Sequence, residues 1–394
     1  MSGTPGRRLL MIEQGGRGGV TDYTIELVRA LAAEGWAVTL ATAEDHTFPP
    51  IEGVTIRRVF HYVRGDTQLG RALRRYGLGR VANGLRFLLA LPRLMRLARR
   101  ADVVHTQGWE VPQIGLVAVA CLRMTGTPLL ETAHNTFERP DAGAFLRTRN
   151  LVARLTSRLT ARTIVHTQAD LGRLAGWRDG AVVIPHGEYG GLASRGGGAD
   201  RAQARAALGI PELAPATLMF GQLRTDKGLP DLVEAVRRLP SLHLLIGGQD
   251  LGGLAEVRDE LATAGLEGRV TLREGFLDMR EAATLFAAAD TVALPYRTAS
   301  QSGVLLLAYG FARPVVVYPR GGMVEAVIDG ETGWICTAAD VDALTRALLA
   351  SIEAGPEECL RRGERGRALA RERYAWPAVA GLTTEVYDDV IARS

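Results

Sequence analysis

Short apolar runs alternate with amphipathic helical patterns along almost the whole chain, and a glycine-rich segment interrupts this alternation once. Before the interruption the strand-length runs include "RRLLMIEQ", "AVTLATA", "ADVVHTQ", "TPLLETAHN", "RTIVHTQ" and "AVVIPHG". After it, the pattern restarts with "ATLMFGQL", "LHLLIGG", "RVTLREGF", "DTVALPY", "RPVVVYP" and "TGWICT". Buried strands alternating with helices are typical of doubly wound parallel sheets. The sequence therefore predicts an α/β fold of two Rossmann-like domains that face each other across a cleft.

The interrupting segment, "GEYGGLASRGGGADRAQAR" from Gly187, gives the predicted domain boundary. Glycine-rich stretches of this kind are typical of flexible connections. We predict a first domain over 1–190, a linker at about 190–200 and a second domain over 200–375. A chain of 394 residues exceeds what one hydrophobic core usually holds, which agrees with two domains. The tail over 376–394 is predicted to form one more amphipathic helix.

The composition is that of a folded protein, with 47% hydrophobic and 23% charged residues. Cys121, Cys336 and Cys359 are widely spaced and match no metal-binding pattern, so reduced thiols are expected. The first residues lack the apolar run of a secretory signal. The run "IGLVAVACL" is about half of the ~20 residues that a transmembrane helix needs. We expect a cytoplasmic protein.

Positive charge is concentrated in the first half of the chain. Residues 1–200 hold 26 arginines and 17 acidic residues, whereas 201–394 hold 21 basic and 26 acidic residues. Twelve of the arginines lie within 57–100, together with one acid, Asp66. Such a block predicts an anionic partner, and we expect 71–100 to contact an anionic membrane surface or a phosphate-bearing acceptor. The alternative is a solvated helix face. No nucleic-acid-binding motif accompanies the charge.

Loops that follow parallel strands carry the ligand sites of doubly wound sheets. The first predicted strand leads into "EQGGRGGVTDY", where four closely spaced glycines precede a helix. Backbone amides at such a helix start suit a phosphate or an oxyanion, so Gly18 and Gly19 are candidate ligand contacts. A tight structural turn is the alternative. A nicotinamide site is not favoured, because the spacing is not G-x-G-x-x-G.

Four histidines end predicted strands: His105, His134, His166 and His186. Their spacing matches no zinc motif, and for each one alone a hydrogen-bonded structural histidine is the alternative. His134 differs because the polar segment "HNTFER", with Asn135, follows it directly. An imidazole at that place is a candidate to donate a hydrogen bond to a substrate hydroxyl or to a developing charge.

The segment "GQLRTDKGLPDL" contains Lys227, the one lysine in a chain that has 46 arginines. It lies in a loop between a predicted strand and a predicted helix, three residues after Arg224. Arginine grips a phosphate through two donors, and lysine delivers a compact charge on a flexible stem. Together they predict a diphosphate site that stabilises a leaving group. A solvated surface turn is the alternative.

A second strand–turn–helix pattern, "PYRTASQSGVLLLAYG", has small or polar residues in its turn. The turn contains Ser300, Gln301, Ser302 and Gly303, and Val304 begins an apolar helix. Free amides at this helix start again suit an anion. A further loop, "GGMVEAVIDG", places Glu325 between a strand and a helix.

Taken in order, these motifs resemble those of glycosyltransferase family 4. They are the glycine loop, His134, G-x-L-R-x-x-K-G, D-x-x-x-L-P-Y with S-Q-S-G-V, R-P-V-V and G-G-x-x-E. Each motif is weakly specific, but the ordered set is specific and covers nearly the whole chain. The resemblance implies a retaining GT-B enzyme that uses a nucleoside-diphosphate sugar, and points to a bacterial branch tied to polysaccharide or glycoconjugate synthesis.

The resemblance also implies roles for individual residues. Arg224 and Lys227 match the pair that binds the donor diphosphate, and His134 matches a histidine beside the transferred sugar. The amides from Ser300 to Val304 match those that hold the distal phosphate. Gly18, Gly19 and Asn135 are expected near donor and acceptor, and the terminal helix is expected to pack back on the first domain. The resemblance implies neither a metal nor any cofactor besides the donor.

One departure from the family concerns two glutamates that are usually eight residues apart around this turn. The corresponding positions hold Ala299 and Leu307, and no carboxylate occurs between Asp290 and Glu325. Gln301, Ser302 and Glu325 are therefore our candidates for contacts with the donor.

The predicted reaction is transfer with retention to an acceptor hydroxyl on a sugar, a lipid-linked glycan or a small molecule. No evident nucleophile lies near the sugar, so front-face displacement is favoured over a covalent intermediate. Three alternatives are a sugar phosphorylase, a nucleotide-sugar epimerase and an inactive relative that only binds sugar or nucleotide.

Overall fold

Two compact α/β units make up the protein, the first comprising Met1–Gly187 with Trp376–Ser394 and the second Glu188–Ala375. The computed structural model describes residues 7–63, 67–76, 78–109, 111–134, 151–152, 154–174, 180–197, 200–262 and 266–394. In each unit a parallel sheet has hydrophobic clusters on both faces. The predicted fold class, two Rossmann-like doubly wound sheets, is confirmed.

The first sheet contains seven parallel strands in the order β3-β2-β1-β4-β5-β6-β7. They are β1 (Arg8–Ile12), β2 (Ala37–Ala43), β3 (Val54–Phe60), β4 (Val103–Thr106), β5 (Leu129–Thr132), β6 (Arg162–Val165) and β7 (Ala181–Val183). The sheet grows in one direction from β1 to β3 and in the other from β4 onward. The switch point between β1 and β4 is where sheets of this type bind ligands, beyond the carboxyl ends of the strands.

The helices of the first unit cover both faces of this sheet. They are α1 (Gly19–Ala33), α2 (Gln68–Arg75), α3 (Gly79–Ala98), α4 (Pro112–Arg123) and α5 (Gln168–Leu174); residues 154–159 are also helical. The last helix of the chain, Trp376–Ala392, belongs to this unit as well and packs against α1. Leu27 of α1 and Tyr387 of the last helix share one hydrophobic cluster, whereas α3 and α4 contribute Phe87 and Val119 to the cluster on the opposite face.

Two local features of the first unit differ from what the sequence pattern indicates. Strand β3 was not among the predicted strands, because Arg57 and Arg58 interrupt its apolar pattern; both are exposed on this edge strand. Pro92 lies inside α3, although proline usually ends or kinks a helix. Leu88, whose carbonyl loses its partner, and Pro92 are both exposed, which leaves that carbonyl accessible to water.

The second sheet contains six parallel strands in the order β10-β9-β8-β11-β12-β13. They are β8 (Ala216–Phe220), β9 (His243–Gly248), β10 (Val270–Glu274), β11 (Thr291–Leu294), β12 (Val315–Val317) and β13 (Gly333–Ile335). All six coincide with apolar runs identified in the sequence. The switch point of this sheet lies between β8 and β11, so the loops after these two strands emerge side by side.

Among the residues that the structure describes, seven further helices surround this sheet. They are α6 (Gly190–Arg195), α7 (Arg201–Leu208), α8 (Leu229–Arg237), α9 (Met279–Ala288), α10 (Gly303–Gly310), α11 (Met323–Ala326) and α12 (Val341–Arg373), and the last helix of the chain is α13 (Trp376–Ala392). Short 3-10 turns occur at Thr225–Lys227 and Glu260–Ala262. The long α12 is interrupted at Gly355, whose φ of 77° is left-handed.

The glycine-rich segment differs from the predicted linker. Much of it forms α6 and α7, and Tyr189, Ala193 and Ala204 lie in the core of the second unit. At Gly196 a Cβ would lie 2.7 Å from the Cβ of Ala283 on α9. The glycine therefore permits close packing, a use that composition does not distinguish from flexibility.

A buried arginine holds the start of the second unit together. The Arg205 guanidinium on α7 is almost fully buried and donates to the carbonyl oxygens of Ala288, Pro211, Glu212 and Ala214. Its remaining nitrogen lies 2.8 Å from Oδ2 of Asp290. One side chain thus joins α7, the segment before β8 and the segment before β11.

No helix in the described ranges is both long enough and apolar enough to cross a bilayer. Cys121, Cys336 and Cys359 are free thiols.

We predict that Arg205→Ala lowers the free energy of unfolding by about 3–5 kcal/mol, because it leaves buried carbonyls unpaired and removes a buried partner of Asp290. Calorimetric unfolding measures the loss. Arg201→Ala is the matched control, since Arg201 also pairs with Asp290 but its side chain is 29% exposed, and we expect a loss of about 1 kcal/mol or less. Equal losses in the two variants would contradict a special role for Arg205.

Candidate functional site

In the second unit, the loops after β8 and β11 are fixed against each other by a close backbone contact. Gly228 has φ 71°, and a Cβ there would lie 2.1 Å from the carbonyl oxygen of Pro295. The backbone amide of Arg297 donates to the carbonyl of Asp226 at 3.0 Å. Only glycine fits at 228, and the contact sets the position of the 3-10 turn Thr225–Lys227 beside the loop that follows β11.

Arg224 is already paired with a carboxylate of its own loop. Its Nε lies 2.8 Å from Oδ1 of Asp226, and its terminal nitrogen lies 3.0 Å from Oδ2. Burial alone would raise the pKa of Asp226, but the Arg224 charge and hydrogen bonds outweigh it and hold the pKa below its usual value. The sequence pattern indicated Arg224 but not its partner Asp226.

Lys227 has a different environment. Its ammonium lies 3.5 Å from the centroid of the Tyr296 ring, within the range of a cation–π contact. In the described part of the chain it makes no ion pair. Burial lowers the pKa of Lys227 to about 7, the Arg224 charge lowers it further in the same direction, and Asp226 opposes them. Burial also raises the pKa of Tyr296 to about 12.

The turn before α10 is held by small residues and a helix cap. Ser302 is the N-cap of α10, and its hydroxyl accepts a hydrogen bond from the amide of Leu305 at 3.3 Å. Ser300 is buried, and its carbonyl accepts from the amide of Gly322 at 2.8 Å. At Gly321 a Cβ would lie 2.0 Å from the carbonyl oxygen of Ala299. The loop after β12 therefore lies against this turn.

Other candidate residues of the second unit are arranged around the same turn. The side-chain oxygen of Gln301 is buried and has no hydrogen-bond partner in the part of the structure that is described. Val304 lies beside the loop after β8, since a Cβ at Gly221 would be 3.1 Å from its Cγ2. Glu325 lies exposed in the first turn of α11. The structure thus brings Arg224, Lys227 and the turn 300–304 together at the second switch point.

In the first unit, a buried carboxylate organises the glycine loop after β1. Glu13 accepts hydrogen bonds from the amides of Gly15 at 2.7 Å and Gly16 at 2.9 Å, and from the hydroxyls of Thr21 and Thr42 at 3.0 and 3.1 Å. Two loop amides are therefore occupied by the protein's own anion. Glu13 was missed in the sequence because a single acid at a strand end carries no pattern of its own.

Gly18 and Gly19 lie beyond this carboxylate, at the start of α1. Gly18 is the N-cap with φ 90°, and a Cβ at either glycine would meet nothing within 4 Å. This end of the loop therefore borders open space, as a ligand-facing segment requires. Asn135 lies outside the described residues.

Three of the four strand-end histidines converge around one tyrosine of α1. The ring centroid of Tyr23 lies 4.9 Å from that of His134, 5.1 Å from His166 and 4.8 Å from His186. His105 instead hydrogen-bonds to the hydroxyl of Tyr387 at 2.6 Å. The sequence predicted the strand-end positions but not Tyr23, which looks like any other apolar position of α1.

Hydrogen bonds link His134 into this cluster. Its Nε2 lies 2.9 Å from Oε1 of Gln107, and its Nδ1 lies 3.2 Å from Nε2 of His166, which is joined through Nδ1 to the carbonyl of Ile184.

Burial lowers the pKa of every histidine in the cluster, and mutual repulsion contributes for His105, His134 and His186. The values are about 3 for His105 and His186 and about 4 for His166, and the pKa of His134 lies well below its usual value. His134 is therefore neutral at physiological pH. It is unsuited to stabilising negative charge as an imidazolium, and both of its ring nitrogens are engaged, by Gln107 and His166.

Comparison with protein families assigns both halves of the chain. Residues 17–187 match the family Glycosyltransferase Family 4, and residues 214–354 match Glycosyl transferases group 1. The two matched regions follow one another along the chain and contain Gly18 and Gly19 of the glycine loop, the histidine cluster and the loops at the second switch point.

Curated relatives are similar over much of their length. A D-inositol 3-phosphate glycosyltransferase of Segniliparus rotundus is 28% identical over 390 residues, which span 93% of this chain and 83% of the relative. A glycogen synthase of Mycobacterium tuberculosis is 27% identical over 293 residues, spanning 73% of this chain and 69% of the relative.

Solved structures share the fold. A sucrose-phosphate synthase from Thermosynechococcus elongatus has a TM-score of 0.77 at 22% identity, with 98% of this chain and 100% of the other covered. Anabaena HepE in complex with UDP-glucose has a TM-score of 0.72 at 18% identity, with 97% and 99% covered.

The paired family matches, the curated relatives and the two doubly wound sheets agree with the ordered motifs of the sequence. The chain belongs to glycosyltransferase family 4: it is a GT-B glycosyltransferase of a retaining family that transfers a sugar from a nucleotide-sugar donor.

Proposed function

We propose that the second unit binds the donor diphosphate at its switch point, through Lys227, Arg224 and the amides of the turn 300–304. The observation that carries this proposal is the position of the Lys227 ammonium, which lies over the ring of Tyr296, makes no ion pair among the described residues, and belongs to the loop beside the one that leads into α10. A half-buried cation in a loop beside a helix start is an environment that an anion stabilises. Displacement of a phosphate leaving group needs such charge stabilisation.

The acceptor hydroxyl is proposed to bind in the first unit, near Gly18, Gly19 and His134, with Asn135 as a further contact. Open space at the two glycines and the neutral state of His134 support a neutral ligand there, and a hydroxyl that bonds to His134 replaces Gln107 or His166 as its partner. Transfer proceeds by front-face displacement, in which the leaving phosphate accepts the proton of the acceptor hydroxyl. The protein contributes positioning and charge stabilisation.

Gln301 is proposed to recognise a hydroxyl of the donor sugar, with Ser302 and Glu325 as further donor contacts. The two positions where the family has glutamates are closed to this role, because Ala299 and Leu307 are buried in the hydrophobic core. An amide oxygen can only accept a hydrogen bond, and a phosphate oxygen has no proton to donate. The unpartnered oxygen of Gln301 therefore suits a hydroxyl rather than a phosphate.

The proposed setting is bacterial glycoconjugate, polysaccharide or secondary-metabolite synthesis on the cytoplasmic side, with α3 in contact with an anionic membrane. Val81, Leu85 and Leu89 are exposed at four-residue spacing, so they share one face of α3. Exposed arginines, among them Arg86 and Arg93, flank this face. Apolar side chains beside arginines on one helix are typical of helices that lie in a membrane interface.

Nucleotide binding tests the donor site. We predict that calorimetric titration with UDP, GDP, dTDP, ADP and CMP finds at least one nucleoside diphosphate that binds. Lys227→Ala and Arg224→Ala should each weaken it tenfold or more, because each removes a charge-assisted contact worth roughly 1.5–3 kcal/mol. Arg297→Ala is the control, since Arg297 lies in the neighbouring loop but pairs with Asp231. Binding that persists in both site variants would place the diphosphate elsewhere.

The role of Gln301 is tested by comparing the affinity for the nucleotide sugar with the affinity for the nucleoside diphosphate alone. We predict that Gln301→Met weakens binding of the nucleotide sugar about tenfold while the matching nucleoside diphosphate changes little, because a contact to a sugar hydroxyl is lost. Gln301→Glu keeps an acceptor and should preserve the ratio of the two affinities better. An unchanged ratio in the Met variant would show that Gln301 does not contact the sugar.

Membrane contact is tested by vesicle flotation. We predict that the protein floats with vesicles containing phosphatidylglycerol but not with pure phosphatidylcholine, and that Leu85→Ser with Leu89→Ser abolishes most of this binding. Leu213→Ser is the control, because Leu213 is 93% exposed in the second unit. Equal flotation with both kinds of vesicle, or loss in the control, would contradict the assignment to α3.

A further inference from the structure

One lysine stands among 46 arginines, and its surroundings explain the exception. The side chain of Lys227 leaves a 3-10 turn and places its ammonium 3.5 Å from the centroid of a buried tyrosine ring. The ring face attracts a cation but carries no full charge. The positive charge of Lys227 is therefore incompletely compensated while the donor site is empty.

The charged groups around Lys227 do not supply the missing compensation. Asp226 is engaged by both nitrogens of the Arg224 fork, at 2.8 and 3.0 Å. From the loop after β11, Tyr296 faces the ammonium as a neutral phenol, and Arg297 is paired with Asp231 at 2.7 Å. The charge of Arg224 lowers the pKa of Lys227, and Asp226, which is paired with Arg224, opposes this effect only in part.

An ammonium and a guanidinium respond differently to such a place. A lysine can release a proton and become a neutral amine, whereas an arginine remains charged at every physiological pH. Desolvation together with Arg224 lowers the pKa of Lys227 to about 7. At pH 7 about half of the free protein then carries a neutral amine at this position.

We propose that Lys227 takes up a proton when the donor diphosphate binds, so that donor capture is coupled to protonation of this one side chain. The inference rests on the proposed function. The amine nitrogen accepts a proton from solvent, a new N–H bond forms, and the resulting ammonium faces the diphosphate. When the product diphosphate leaves, the proton is released to solvent again.

The coupling has a definite sign. Below pH 7 most Lys227 side chains of the free protein already carry the proton, so proton uptake does not weaken donor binding. Above pH 7 each unit of pH lowers the affinity by up to tenfold, for as long as the bound lysine keeps its proton. Two phosphate charges next to the ammonium keep it protonated through pH 8. Glu131 in the first unit, whose pKa burial raises to about 7, titrates in the same range and makes a control necessary.

The experiment is calorimetric titration with whichever of UDP-glucose, GDP-mannose, ADP-glucose and dTDP-glucose binds most tightly. The diphosphate of a nucleotide sugar does not titrate between pH 6 and 8, unlike that of a free nucleoside diphosphate. We expect binding about tenfold weaker at pH 8 than at pH 6. Comparison of buffers with different ionisation enthalpies should show uptake of about 0.9 proton at pH 8 and about 0.1 at pH 6.

Lys227→Arg is the matched variant, because it keeps the charge and removes the titration. Its affinity, whatever its value at pH 6, should change less than about twofold between pH 6 and pH 8, with no proton uptake. Binding by the parent protein that is independent of pH would overturn the inference and leave the proposed function intact. An unchanged pH dependence in Lys227→Arg would assign the proton to another group and also overturn it. Absence of binding for all four nucleotide sugars would instead reject the proposed function.

Discussion

The approach of Gly228 to Pro295 determines the geometry of the second switch point. With a Cβ only 2.1 Å from a carbonyl oxygen, no other residue fits without moving the backbone, and the two loops after β8 and β11 are held in one arrangement. Lys227 precedes this glycine and Tyr296 follows this proline, so the cation–π contact between them is a consequence of the backbone contact. The parallel sheet places the ends of β8 and β11 side by side, and Gly228 fixes the relative positions of the two loops that follow them.

In both units, charged groups of the candidate sites are already paired with groups of the protein itself. Asp226 neutralises Arg224, and Glu13 is satisfied by two amides and two hydroxyls. The histidines around Tyr23 remain neutral because burial opposes their protonation. Lys227 contrasts with these groups, since an aromatic face is its main neighbour. In such a site, Lys227 is the side chain whose electrostatic environment changes most when an anion binds.

The sequence predicted most of the fold because the apolar runs of the parallel strands are short and distinct, as in all six strands of the second sheet. It failed at β3, where Arg57 and Arg58 on an exposed edge hide the pattern, and it did not reveal the helices α6 and α7 of the glycine-rich segment, where Gly196 permits close packing. For the candidate site, composition singled out Lys227 and motif order singled out the turn 300–304. Asp226, Glu13 and Tyr23 escaped because their importance lies in which partner they meet, and that depends on tertiary contacts.

The carboxylate of Glu13 has a further consequence for the glycine loop of the first unit. A chain segment with so many glycines loses much conformational freedom when it becomes ordered, on the order of 1–2 kcal/mol for each residue. Because Glu13, Thr21 and Thr42 tie the loop down in the folded protein, this entropy is lost during folding. A ligand that meets Gly18 and Gly19 then finds a preorganised surface, and its binding free energy is not reduced by the ordering of the loop.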